Sequence, residues 1–256
     1  MIELKSPREI DLMREAGRMV SVVIQELEGM IAPGITTKAL DEKAEKTICA
    51  LGGEPAFKGY RGYPASICTS VNEEVVHGIP GRRVLKEGDI VGVDVGVRFR
   101  GYYGDSAVTF PVGKIDEESE KLIRVTHEAL FRGIRAAVAG NRIGDVASEI
   151  QRTAESHGYS VVRDFVGHGI GSEIHQDPQV PNFGEPRQGI LLKKGMVIAI
   201  EPMVNLGTYE VQILQDGWTV VTQDRKRSCH FEHTVSIDDQ EPEILTAWHL
   251  KKNLLK

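Results

Sequence analysis

The chain has 256 residues, a net charge of −6 and a pI near 5.8, with 41% hydrophobic and 27% charged residues. A chain this long buries roughly three quarters of the surface its unfolded form exposes, so a substantial core is expected. The mild acidity argues against DNA or general nucleic-acid binding, which needs a basic surface, and no run of about 18 apolar residues announces a membrane span.

The three cysteines, Cys49, Cys68 and Cys229, are odd in number and lack a C-x-x-C spacing. A disulfide framework or thiolate zinc site is therefore not expected. Met1-Ile2-Glu3-Leu4-Lys5 contains no apolar signal core, so a cytoplasmic location is expected. The short basic run Arg225-Lys226-Arg227 reads as a solvated loop, with contact to ribosomal RNA as the sharper alternative.

Along the chain, Ser6-Pro7-Arg8-Glu9 forms a capping box with proline at the first helical position. Ile10, Met13, Val20, Val23, Ile24 and Leu27 follow at helical spacing, and Pro33-Gly34 is the expected stop. A second helix is expected from Thr36 or Thr37 to Gly52-Gly53, with Leu40, Ala44, Ile48 and Leu51 inward. Strands are expected at 67–71, 89–99 and 102–111, the last two as a hairpin turning at Arg100-Gly101. Then come a helix from Asp116 that includes Val138 and another from near Asp145 to Gly158. Strands near 160–166, 196–205, 209–214, 218–222 and 230–237 complete the pattern. The order helix, helix, strands occurs twice. It predicts a single α+β domain over 1–256, a pseudo-two-fold, mainly antiparallel sheet with helices on one face.

Acids interrupt the most apolar strands: Asp94 in Ile90–Val97, Glu201 in Met196–Val204 and Glu232 in Cys229–Val235. A carboxylate buried alone is costly and must be protonated, paired or metal-bound. No lysine or arginine occurs in 89–97, 196–215 or 228–240. Arginine from elsewhere could reach in, but divalent metal is the simpler partner. Asp94 and Asp105, 11 residues apart on the two hairpin arms, fall near opposite each other, where like charges need a bridging cation.

Of the eight histidines, His127, His157 and His249 read as surface or packing residues. His168 in Gly167-His168-Gly169-Ile170-Gly171, His77 before Gly78-Ile79-Pro80 and His175 before Gln176-Asp177-Pro178 read as loop residues able to face a site. His230 and His233 are placed on the strand face opposite Glu232. Asp94, Asp105, His168, Glu201 and Glu232 together match two divalent cations sharing a water or hydroxide, an arrangement for hydrolysis. Oxygen-rich ligation suits manganese, iron or cobalt.

This ligand order closely resembles the methionine aminopeptidases. The resemblance is carried by Asn72–Pro80, Val93–Gly96, Tyr103–Ala107, Gly167–Gly171, Ile200–Met203 and Phe231–Thr234, and it spans Ser6 to about Leu245. It implies the pita-bread fold, with Asp94, Asp105, His168, Glu201 and Glu232 holding two divalent ions (cobalt, manganese, iron or zinc). It implies Glu201 as general base and proton shuttle, His77 contacting the substrate backbone, and His175 stabilising the tetrahedral intermediate. A methionine pocket of Tyr60, Tyr63, Cys68 and Trp218 follows from the same likeness. Ile174 stands where members often carry an aromatic residue. The 33-residue interval from His168 to Glu201, with no long insertion, resembles the first, bacterial-type class. The implied reaction is metal-dependent removal of the initiator methionine from nascent chains whose second residue is small, with transient ribosome association. Two other readings stay open: a proline-directed relative, and an inactive binding module on the same scaffold.

Overall fold

The computed structural model describes residues 2–248. The first half runs α1 (Pro7–Glu28), α2 (Thr37–Ala50), β1 (Glu54–Pro55), β2 (Cys68–Val71), β3 (Glu74–Val76), β4 (Ile90–Phe99) and β5 (Tyr102–Pro111). The second runs α3 (Glu117–Ala136), α4 (Ile143–Glu155), β6 (Ser160–Val161), β7 (Gly167–Gly169), β8 (Gln176–Val180), β9 (Val197–Ile200) and β10 (Met203–Asn205). It ends with β11 (Val211–Ile213), β12 (Val220–Thr222), β13 (Ser228–His230), β14 (His233–Ser236) and β15 (Glu243–Ile244).

The helix starts follow the local chemistry. Ser6 and Glu9 close the capping box on α1, and Thr36 and Asp116 cap α2 and α3 through their side chains. The ends come earlier than the turn residues suggested. Helix α1 stops at Gly29, five residues before Gly34; α3 stops before Val138; α4 stops at Ser156, ahead of Gly158. Arg100 and Gly101 both take positive φ, the pair a two-residue hairpin turn requires to match strand twist.

Every described strand pair is antiparallel, but the strands form four sheets instead of one. The two larger are β1-β4-β2 with β5 beside β4, and β15-β14-β9-β7-β8. The expected long strands 196–205 and 230–237 each break, at Glu201-Pro202 and Phe231-Glu232, and pass between sheets. The sequence does not announce β8, because Gln176-Asp177-Pro178-Gln179 has the composition of a turn.

Along β4 the period of two sorts the side chains. Val91, Val93, Val95 and Val97 join the large core with Val20 and Val23 of α1 and Leu122 of α3, while Asp94 faces the other way. Helix α1 packs on β4 and β5, and α3 on β9, β10 and β13. The helical layer leaves the opposite face to the acids.

The halves meet where β5 runs beside β13 and β14. Glu232 N–H donates to the Ala107 carbonyl at 2.9 Å, and Ser106 Oγ donates to the Glu232 carbonyl at 2.5 Å. Thr234 Oγ1 accepts from Asp105 N–H at 3.0 Å and donates to its carbonyl at 2.8 Å. Hydroxyl side chains thus complete a seam that regular ladder bonds do not. Arg227 binds Asp116, Ser119 and the Gly88 carbonyl, so one charge of the basic run belongs to the scaffold.

Thr234→Val keeps the shape and deletes both hydroxyl bonds to Asp105. Leaving those buried backbone groups unpaired should lower the unfolding free energy by about 1–3 kcal/mol, read by denaturant titration of metal-free protein.

Candidate metal centre

Each acid reaches the site from a strand or strand break that cannot turn it elsewhere. Asp94 projects from β4 and Asp105 from β5. Their register differs from expectation: Asp94 pairs with Ala107, and Asp105 with Gly96. The two acids are diagonal neighbours, still on one face and still able to interact side chain to side chain. Glu201 and Glu232 sit at the two strand breaks, where the backbone leaves one sheet for another. His168 lies inside β7, not on a loop.

Asp94, Asp105, His168, Glu201 and Glu232 all line one cavity of about 760 Å³. His168 Nε2 is 3.9 Å from Asp105 Oδ2 and 3.7 Å from Glu201 Oε1. One donor atom each from Asp105, His168 and Glu232 lies within 4.8 Å of the others. His168 Nδ1 lies 3.0 Å from the Gly169 carbonyl. That oxygen can only accept, so Nδ1 carries the proton and Nε2 presents its lone pair to the acids.

The acids crowd together without a base. Among the described residues none of the four pairs with lysine or arginine, which removes the hidden-arginine alternative there. Asp94 Oδ1, Asp105 Oδ1 and Glu232 Oε1 are buried without a hydrogen-bond partner among the described residues. Burial pushes the Asp94 carboxyl up to about 7, partly offset by its contact with Asp105. Burial, and then the neighbouring acids, holds Asp105, Glu201 and Glu232 well above the ordinary carboxylate range. Burial, with His175 close by, lowers His168 to about 3, so its ring is neutral. Orphaned oxygens, four acids and a neutral imidazole fit oxygen-seeking divalent ions.

The remaining predicted residues surround this cluster. His77 takes φ 60° just after β3 and meets Phe165 and Trp218 edge-on at 5.7 and 6.4 Å. His175 stands at the rim immediately before β8, 4.4 Å ring to ring from His168, its Nδ1 2.9 Å from the Tyr60 hydroxyl. Tyr63 and Cys68 are buried in a small apolar cluster with Phe57 and Ile174, against which Tyr60 and Trp218 pack. Tyr63 and Trp218 meet edge to face at 5.0 Å. His127 packs against Phe131, Phe231 and Trp248, and His157 Nδ1 donates to the Thr153 carbonyl, both away from the cavity. His249 lies outside the described residues.

One assignment reverses. His230, expected on the face opposite Glu232, instead has its Nε2 3.7 Å from Glu201 Oε2. Residues two apart on a strand share a face, so the parity of 230 and 232 was itself the missed signal. His233, one residue on, does turn away. It stacks on Trp248 at 4.1 Å and bonds Thr246.

The fold and the donor set define a metal-dependent hydrolase. Residues 11–239 match metallopeptidase family M24. The methionine aminopeptidase of Clostridium perfringens is 55% identical over 246 residues, 96% of this chain and 99% of that one. Methionine aminopeptidase 1 of Bacillus subtilis is 52% identical with the same coverage. The crystal structure of methionine aminopeptidase from Thermotoga maritima superposes with a TM-score of 0.95 at 50% identity, covering 96% and 99% of the two chains. A prolidase from Pyrococcus furiosus shares the fold, with a TM-score of 0.79 at 24% identity and coverage of 96% and 66%. The chain belongs to metallopeptidase family M24, among its methionine aminopeptidases, and has their pita-bread fold.

Acids with raised pKa hold protons that a metal must displace. Asp94 stands above its unfolded value, so its contribution to stability is present below about 3.8 and is lost as pH rises towards 7. Neutral burial of His168 has the opposite sign: its contribution is present above 6.5 and is lost as pH falls towards 3. Overall stability mixes the two, whereas metal binding isolates the acids. Manganese binding should release protons, more near about pH 6 than near about pH 8. Calorimetry in two buffers of different ionisation heat reads the difference.

Proposed function

We propose that this chain hydrolyses the first peptide bond of polypeptides that begin with methionine, using Asp94, Asp105, His168, Glu201 and Glu232 to hold two divalent ions. The single observation that carries the ligand assignment is the set of buried, orphaned carboxylate oxygens around the His168 lone pair. When bound, divalent ions supply Lewis acidity and lower the pKa of water at the reacting bond.

The protein side of the reaction follows from position. Glu201, between His168 and His230, takes the proton of the attacking water and passes it to the leaving amine. His77, on its constrained backbone at the cavity wall, contacts the substrate backbone near the scissile bond. His175, oriented by Tyr60, stabilises the negative oxygen of the tetrahedral intermediate. The methionine side chain is assigned to the pocket formed by Tyr60, Tyr63, Cys68 and Trp218, where a thioether packs against aromatic rings and sulfur. Ile174 packs into the same cluster. A small second residue belongs to the same reading, since bulk beside the ions would be rejected by a crowded site.

Residues 1–256 act as one bacterial-type catalytic domain in this reading, and the substrates are the N-termini of nascent chains. Action in the cytoplasm, with transient docking on ribosomes, belongs to the same proposal. No described helix is long and apolar enough to cross a membrane.

Cleavage of Met-X peptides, titrated with manganese or cobalt, tests the reading. Met-Ala-Ser should be cut, and Met-Phe and X-Pro peptides should not; preference for X-Pro would move the chain to the proline-directed branch. Asp105→Asn and Glu232→Gln should each abolish metal-dependent turnover while the fold persists by circular dichroism; near wild-type turnover of either removes that ligand. Trp218→Ala should raise KM for methionyl peptides more than it lowers kcat, and an unchanged KM would take Trp218 out of the pocket.

A further inference from the structure

His230 is a buried residue beside the acid cluster that the ligand scheme leaves unused. Its backbone is held twice by Thr109, whose Oγ1 accepts from His230 N–H at 3.1 Å and donates to its carbonyl at 2.7 Å. Its neighbour in the ladder is Met203, across from β13 on β10. The residue is 4% exposed, and Nε2 has no hydrogen-bond partner among the described residues. A buried imidazole nitrogen left unpaired is disfavoured. The group it faces is Glu201, with Oε2 at 3.7 Å.

Glu201 is a ligand in need of orientation. It stands at the break between β9 and β10, outside any ladder, and its side chain has three rotatable bonds. Its oxygens are bracketed by two histidines, Oε1 by His168 and Oε2 by His230, each at 3.7 Å. One oxygen is thereby left to face the ions and the other to meet a donor. A shift of a few tenths of an ångström brings Oε2 within about 3.2 Å of Nε2, a normal hydrogen bond.

We propose that His230 is a positioning residue, which donates its Nε2 proton to Glu201 and holds that carboxylate in its working orientation. Outer partners of this kind fix a ligand's direction without touching metal or substrate. The inference rests on the assignment of Glu201 above. Glu201→Gln that kept full metal binding and turnover would remove both together, whereas failure of the His230 variants alone leaves that assignment standing.

His230→Leu deletes the donor at similar volume, and His230→Gln keeps one. Metal-free protein of each is titrated with cobalt, followed by visible absorption and calorimetry, and kcat and KM are measured on Met-Ala-Ser with saturating manganese. His230→Leu should lower metal affinity or kcat by about 10–100-fold, with unchanged metal stoichiometry and little change in KM. His230→Gln should recover most of that loss. Wild-type protein supplies an independent reading should the leucine variant not fold: with zinc bound, nitrogen-15 NMR should show a slowly exchanging proton on His230 Nε2. Wild-type affinity and turnover in His230→Leu overturn the proposal. So does the absence of that proton, or the loss of one metal equivalent that His230→Gln does not restore, which would make His230 a ligand.

Discussion

Four carboxylates share one buried cavity with no lysine or arginine against them among the described residues. Every other feature of the site answers that constraint. Without a counter-charge the acids keep their protons, as the upward shifts of Asp94, Asp105, Glu201 and Glu232 record. Divalent ions held among them, as proposed above, would let them ionise and turn their mutual repulsion into ligation. The surrounding architecture has one task, which is to keep mutually repelling groups from drifting apart. Long β strands on a tightly packed helical layer accomplish it for Asp94 and Asp105. For Glu201 and Glu232 it falls to strand breaks fastened by side chains.

That division explains why hydroxyl residues gather at the seam. Thr109, Ser106 and Thr234 each bond backbone groups across from their own strand. At the Phe231-Glu232 break, Glu232 lines the cavity while Phe231 stays in the core, the alternation of neighbouring strand residues. The aromatic cluster of His127, Phe131, Phe231, His233 and Trp248 lies beneath, and Trp248 Nε1 donates to Ser106 Oγ at 2.9 Å. The seam is thus supported from its core side.

Much of this was legible in the amino-acid order. Acids inside Val- and Ile-rich strands are a strong signal because their burial needs a partner, and the flanking segments name none. The hairpin at Arg100-Gly101 and the capping box at Ser6 are local signals with local causes, and both were placed correctly. What escaped was decided by tertiary pairing. Strand β8 exists because β7 offers it a ladder, not because Gln176-Asp177-Pro178 favours extension. The breaks at Pro202 and Glu232 depend on which sheet each neighbour joins. The two-residue offset of Asp94 from Asp105 depends on the hairpin register, which a distance along the chain fixes only loosely. The place of His230 is legible in strand parity, because residues 230 and 232 share a face.

The spread of the donors along the chain has a consequence for biosynthesis. Asp94 and Asp105 come from the first half-sheet, and Glu232 arrives through a seam that forms only when the second half-sheet docks. Chains acquire structure from the N-terminal end as they are made. The early hairpin therefore exists for a time as a surface carrying two acids and no centre. The cavity that gathers all four acids is complete only once the chain as far as Glu232 has been made and the second half-sheet has docked.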